Sequence, residues 1–74
     1  MDISWVKVTS SNIDAVSHDE ETNTLTVKFH SGAIWNYKPI TRVGYMQFLN
    51  AESKGKYFNE NIKKNDNITA INYS

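Results

Sequence analysis

Apolar and polar residues alternate most cleanly along Thr24-Leu25-Thr26-Val27-Lys28-Phe29. A period of two places Leu25, Val27 and Phe29 on one face, the pattern of a half-buried antiparallel strand. His30-Ser31-Gly32 breaks the pattern and Ala33-Ile34-Trp35-Asn36-Tyr37 resumes it. Two registers are open to this hairpin. A two-residue loop at Ser31-Gly32 pairs Phe29 with Ile34, Val27 with Asn36 and Leu25 with Lys38. A three-residue loop pairs Phe29 with Ala33, Val27 with Trp35 and Leu25 with Tyr37. Opposed residues share a face, so the second register builds one continuous apolar face and is the expected one. It also puts Gly32 at the left-handed position of a type I turn with a G1 bulge, which glycine adopts without a side-chain clash.

The flanking segments read less sharply. Ser4 to Val8 is β-favourable and predicts a short first strand. Thr9 to Asn12 is a polar break, Ile13 to Ser17 a weaker strand, and His18 to Asn23 an acidic turn. Lys38-Pro39-Ile40 ends the hairpin, because proline lacks the amide a ladder needs. Thr41 is the expected N-cap of a helix from Arg42 to about Ser53. On its wheel Val43, Tyr45, Met46 and Leu49 share the arc expected to face the sheet, with Phe48 at its edge. Gly55 is expected as the left-handed cap that stops this helix. Tyr57 to Ile62 follows as a short apolar return, and Ile68 to Tyr73 as an edge strand or an arm. These elements predict a small α+β domain, an antiparallel sheet of three to five strands packed on one main helix.

Composition narrows the setting. The chain has 74 residues, one proline and no cysteine. It is one domain with a thin core, built without disulfides or a cysteine-based zinc site. An intracellular, cytoplasmic protein is expected. No stretch approaches the roughly 20 apolar residues of a membrane span, and Met1-Asp2-Ile3-Ser4 lacks the basic and apolar regions of a signal peptide. The triplets Asn67-Ile68-Thr69 and Asn72-Tyr73-Ser74 then read as chance matches to a glycosylation site. Formal net charge is zero, but residues 1–37 carry −3 (two Lys, five Asp or Glu) and residues 38–74 carry +3 (six Lys or Arg, three Asp or Glu). Neutrality argues against strong non-specific nucleic-acid binding; the asymmetry still permits a basic face.

Several segments then combine. Ser10-Ser11-Asn12-Ile13, the aromatic pair Trp35-Asn36-Tyr37, Pro39, Tyr45, the run Ala51-Glu52-Ser53-Lys54-Gly55-Lys56-Tyr57-Phe58-Asn59 and Ile62-Lys63 together resemble the KTSC domain. That family occurs at the C-terminus of some lysyl-tRNA synthetases and as small free-standing proteins. The likeness covers about residues 6–63, with Trp35 where the family more often has Tyr and Ser17-His18-Asp19 in place of a Gly-Tyr-Asp-like element. A KTSC-like domain is therefore expected over residues 1–63, with 64–74 as an extension. The resemblance implies a fold more than an activity; RNA binding is the activity it suggests.

Candidate site residues each carry two readings. Trp35 and Tyr37 are either a base-stacking platform or core aromatics packed on Leu25 and Val27, which the register favours. Arg42, Lys54, Lys56, Lys63 and Lys64 are either a phosphate-contacting patch or ordinary solvated surface, interrupted by Glu52, Glu60 and Asp66. Ser53-Lys54-Gly55-Lys56 lacks the spacing of a Walker loop. Its residues read as structural, with Asn59 bonding the loop backbone and Tyr57-Phe58 re-entering the core. His18-Asp19-Glu20-Glu21 cannot all converge on one ion, and His30 beside Ser31 makes no triad. No catalytic residue, metal or cofactor is expected. Exposed sheet edges can pair with another chain or a second copy, and Trp5 is a candidate anchor.

The first expectation is a non-catalytic binding module with a protein partner, contacted through Trp5, Lys54, Lys56 and Tyr73, with no membrane role and a homodimer open. Nine Asn, seven Lys and seven Ile fit an AT-rich genome, and a compact inhibitor or adaptor from a mobile element is one example. The alternative is an RNA- or nucleotide-binding module that uses the basic half and the aromatic pair.

Overall fold

A computed structural model describes residues 4–73. Met1–Ile3, which open the expected domain, and Ser74, which ends the second Asn-x-Ser triplet, lie outside the described residues. The fold is α+β. Strands β1 (Val6–Lys7), β2 (Ile13–Asp19), β3 (Thr24–Phe29), β4 (Ile34–Lys38) and β5 (Thr69–Asn72) form one antiparallel sheet in chain order. Between β4 and β5 run helix α1 (Arg42–Asn50), helix α2 (Lys54–Phe58) and a π-helical segment, Asn59–Lys63. This helical layer covers one face of the sheet.

The central hairpin has the expected three-residue register: Leu25 lies opposite Tyr37 and Val27 opposite Trp35. The Phe29 N–H donates to the Ala33 carbonyl (2.9 Å), the Gly32 N–H to the Phe29 carbonyl (2.9 Å), and Gly32 has φ +95°. The expected first strand shortens to Val6–Lys7, whereas β2 runs on through His18 and Asp19. The acidic turn is thus Glu20–Asn23, with Asn23 in the left-handed region (φ 53°) that asparagine tolerates. Within the expected extension, β5 adds to β4 as an edge strand.

A bulge accounts for the weak pattern of β2. Ile13 pairs with Phe29 and Ala15 with Lys28, so Asp14 is the extra residue. The insertion changes the phase of alternation, and both Ile13 and Val16 are fully buried. They join Leu25, Val27, Tyr37, Ile40, Phe48, Phe58 and Ile62 in one core.

The helical layer corrects three expectations. First, α1 ends at Asn50, where Ala51 turns extended (φ −66°, ψ 139°), and Ser53 caps a second helix by accepting from the Lys56 N–H (3.4 Å). Thr41 caps α1 as expected, accepting from Gly44 N–H (3.2 Å). Secondly, Gly55 is a helical residue of α2, outside the left-handed region. Thirdly, Phe48 is the buried residue of α1 (0% exposed), while Val43 and Met46 are 67% and 43% exposed. Apolar residues occupy most of the wheel, so hydrophobicity leaves its orientation open. Two ring contacts settle it: Tyr45 stacks on His18 (4.8 Å, 13°) and Phe48 meets Tyr57 edge-on (6.2 Å, 62°).

Candidate functional site

The turn Ser10–Ile13 is held from both sides. The Ser10 hydroxyl accepts from the N–H groups of Asn12 and Ile13 (both 3.3 Å) and launches β2. The His30 ring donates through Nε2 to the Ser10 carbonyl (2.9 Å), and the His30 N–H donates to the Asn12 carbonyl (2.9 Å). This ties the turn to the β3–β4 loop. On its other side stands α2: a Cβ on Gly55 would lie 3.4 Å from the Ser10 hydroxyl. A methyl group there would just meet the hydroxyl at van der Waals distance, so α2 lies as close to the turn as an alanine would allow.

Two adjoining grooves open where these elements meet. The larger, about 630 Å³, has Trp35, Tyr37, Phe29, Phe58 and Ile62 among its lining residues. Tyr37, Phe58 and Ile62 are buried; Trp35 and Phe29 are half-buried and form its walls. The rings interlock: Trp35 and Tyr37 lie nearly parallel (6.5 Å, 23°), and Phe58 meets Tyr37 and Phe29 edge-on (5.1 and 5.8 Å). The smaller groove, about 440 Å³, is polar and is flanked by Ser10, Ser53, Lys56, Glu60 and Lys64. Ser11, Asn12, Gly55 and Asn59 line both. The side chains of Ser11, Asn12 and Asn59 make no hydrogen bond among the described residues, so their donors and acceptors are open to a ligand; Asn59 does not bond the loop backbone as its position suggested.

The expected cations divide. Lys56 and Lys64 flank the smaller groove and Lys63 the larger. Lys54 is half-buried and its Nζ donates to the Ala51 carbonyl (3.4 Å). Arg42 pairs with Glu20 (3.0 Å) and lines neither groove. Trp5 is 36% exposed and Tyr73 67% exposed; Tyr73 lies with Ser17, Thr24, Thr26 and Asn36 along a separate depression. The structure thus brings together Trp35, Tyr37, Lys56, Lys63 and Lys64, and leaves Arg42, Trp5 and Tyr73 outside.

Both histidines serve as ties. His18 donates through Nε2 to the Ile40 carbonyl (2.6 Å), a bond that fixes the proton on that nitrogen because a carbonyl only accepts. Lys7 donates to Asp14 (2.7 Å), and this hydrogen bond, aided by the charges of Lys7, His30 and Lys28, holds the Asp14 carboxyl below its ordinary value against some desolvation. Burial raises the Tyr37 and Tyr45 hydroxyls. Among the described residues no three His, Asp or Glu side chains group as metal ligands, and no helix is long and apolar enough to cross a membrane.

The model of the KTSC domain matches residues 9–65. The chain belongs to the KTSC domain family. Similar segments occur in the lysine–tRNA ligases of Nostoc punctiforme (36% identical over 58 residues) and of a second Nostoc strain (38% over 58 residues). Each alignment covers 78% of this chain, and the chain spans about 10% of those ligases. An uncharacterized protein of Stutzerimonas stutzeri is 33% identical over 58 residues, 78% of this chain and 82% of that protein. A crystal structure of a KTSC domain protein from Yersinia pestis shares the fold, with a TM-score of 0.89, 22% identity, and coverage of 99% of this chain and 100% of that one. The matched stretch of this KTSC domain contains the turn, the aromatic pair and the α2 run, which supply most of the groove lining; Ile68 and Ala70, the latter in β5, line the larger groove from beyond it.

Sequence reasoning missed Ser11, Asn12, Phe29, His30 and Asn59 as groove residues. Ser11, Asn12 and Asn59 sit inside the segments that carry the resemblance, so convergence of those segments is the signal that finds them.

Proposed function

We propose that this KTSC domain is a non-catalytic binding module, that the joined grooves are its ligand site, and that single-stranded RNA is its ligand. One observation carries the reading: segments far apart in the chain converge on two joined grooves, one aromatic-walled with Lys63 in its lining and one polar and flanked by Lys56 and Lys64. Aromatic walls take unstacked bases and lysines take phosphates, the two halves of single-strand recognition. Relatives named for tRNA support it, since two lysine–tRNA ligases contain a similar segment. The non-catalytic part is supported by the histidines, both of which spend Nε2 on backbone carbonyls. A cytoplasmic setting fits a chain without cysteine.

Fluorescence anisotropy of a labelled single-stranded RNA against the full chain tests the reading. Single strands lose affinity with a log–log salt slope of about −0.7 per neutralised phosphate, so three lysines predict a slope of about −2. The double variant Lys56→Glu/Lys64→Glu is expected to weaken binding about tenfold or more, roughly 1.4 kcal/mol. Unchanged affinity in a folded double variant contradicts the assignment.

A protein partner is the second reading. It is supported by the exposed apolar residues Trp5, Val6, Ile71 and Tyr73, which lie on the edge strands or next to them. Under it Trp5→Ala removes binding while salt has a modest effect, and an inhibitor or adaptor from a mobile element remains a fitting example.

A further inference from the structure

The size and charge of the grooves suit one nucleotide at a time, free or as a single unstacked residue of a strand. The larger groove, about 630 Å³, falls within the roughly 300–1,000 Å³ of small-molecule sites. Its lining holds Lys63 and His30 and no carboxylate. The smaller groove sets Lys56 and Lys64 against Glu60. The positive charge is therefore a local excess at one shoulder of a chain with zero formal net charge. Arg42, the next cation of the expected patch, is paired with Glu20, so the unpaired cations of that patch gather at this one shoulder.

We propose that the joined grooves form a one-nucleotide site, in which a nucleobase lies against Trp35 and Phe29 in the larger groove and its phosphate meets Lys56 and Lys64 in the smaller. Ser11, Asn12 and Asn59 stand where the grooves join. A nucleotide laid across the junction carries its sugar and base edges past these three side chains. Their hydroxyl and amides both donate and accept, so they match those edges. Half-burial fixes the Trp35 ring against Tyr37 and leaves part of it in the groove, which is the arrangement stacking requires. The inference rests on reading the grooves as the ligand site. The shared chemistry, one base with its phosphate, has two sources: a free nucleotide, or one unstacked residue of a strand.

Trp5 and Trp35 are the only tryptophans, so Trp5→Phe leaves Trp35 as the sole reporter. Titrations of this variant with AMP, GMP, CMP and UMP, with the matching nucleosides, with ribose 5-phosphate and with a short oligouridylate test the proposal. At least one mononucleotide is expected to change Trp35 emission saturably and to bind about tenfold tighter than its nucleoside and than ribose 5-phosphate. Lys56→Glu/Lys64→Glu is expected to erase that tenfold advantage and to leave nucleoside affinity unchanged, which a misfolded variant would not do. An oligonucleotide that binds while every mononucleotide fails to about 1 mM overturns the one-nucleotide site and keeps the strand reading. Failure of all probes overturns both.

Discussion

Gly55 stands against Ser10, 3.4 Å separating the place its Cβ would occupy from the serine hydroxyl. The approach brings α2 to the turn before β2, and both residues line the smaller groove. Since Gly55 is helical and outside the left-handed region, Gly55→Ala is expected to be neutral or to stabilise by up to about 1 kcal/mol through helix propensity. A left-handed cap would instead lose stability on the same change. Gly55→Leu is expected to push α2 from the turn and weaken ligand binding. Urea unfolding of both variants, with RNA affinity, checks this.

Phe48 tests the orientation of α1. It is fully buried, whereas Val43 and Met46 are largely exposed. Phe48→Ala is expected to cost about 3–5 kcal/mol, and Val43→Ala or Met46→Ala about 0.5 kcal/mol or less. Equal costs at Phe48 and Val43 in chemical denaturation contradict the assigned face.

His18 links β2 to the segment leading into α1, through its bond to the Ile40 carbonyl and its stack on Tyr45. Losing both is expected to cost about 1–3 kcal/mol in His18→Ala. His18→Phe keeps the stack and recovers part of the loss. Full recovery in the unfolding midpoint would show that the hydrogen bond contributes nothing.

Asp14 makes stability depend on acid. Its carboxyl is held below the ordinary value by Lys7, so the folded state favours the ionised form. The contribution is present above the unfolded pKa and is lost as pH falls through the lowered folded value. Wild type is expected to exceed Asp14→Asn in stability at neutral pH, and the two to converge as pH falls below the ordinary carboxylate range. A gap that stays constant with pH in urea melts contradicts the linkage.

What the residue pattern discloses follows from which interactions are local. The β3–β4 register was legible because turn geometry and face continuity act within one hairpin, and Gly32 and Val27–Trp35 match it. The Thr41 cap is local as well. The Asp14 bulge is hidden because it breaks the alternation by which strands are recognised, so the residue pattern understates β2, an interior strand of the sheet. The break at Ala51 is not legible in the residue pattern because no proline or glycine marks it and Ser53 caps a helix only five residues long. Trp35, Lys56, Lys63 and Lys64 stood out by residue type, whereas Ser11, Asn12 and Asn59 gain their place from tertiary convergence.

Amide and indole chemical-shift mapping of the isotope-labelled full chain, titrated with single-stranded RNA and then with its best mononucleotide, tests the groove directly. The predicted result is one contiguous set of perturbed signals at Ser11–Ile13, Phe29, Trp35, Gly55, Lys56, Phe58, Asn59, Lys63 and Lys64, the same residues for both ligands. Perturbations confined to Trp5, Ile71 and Tyr73, or no perturbation by either ligand, would contradict the groove as the binding site.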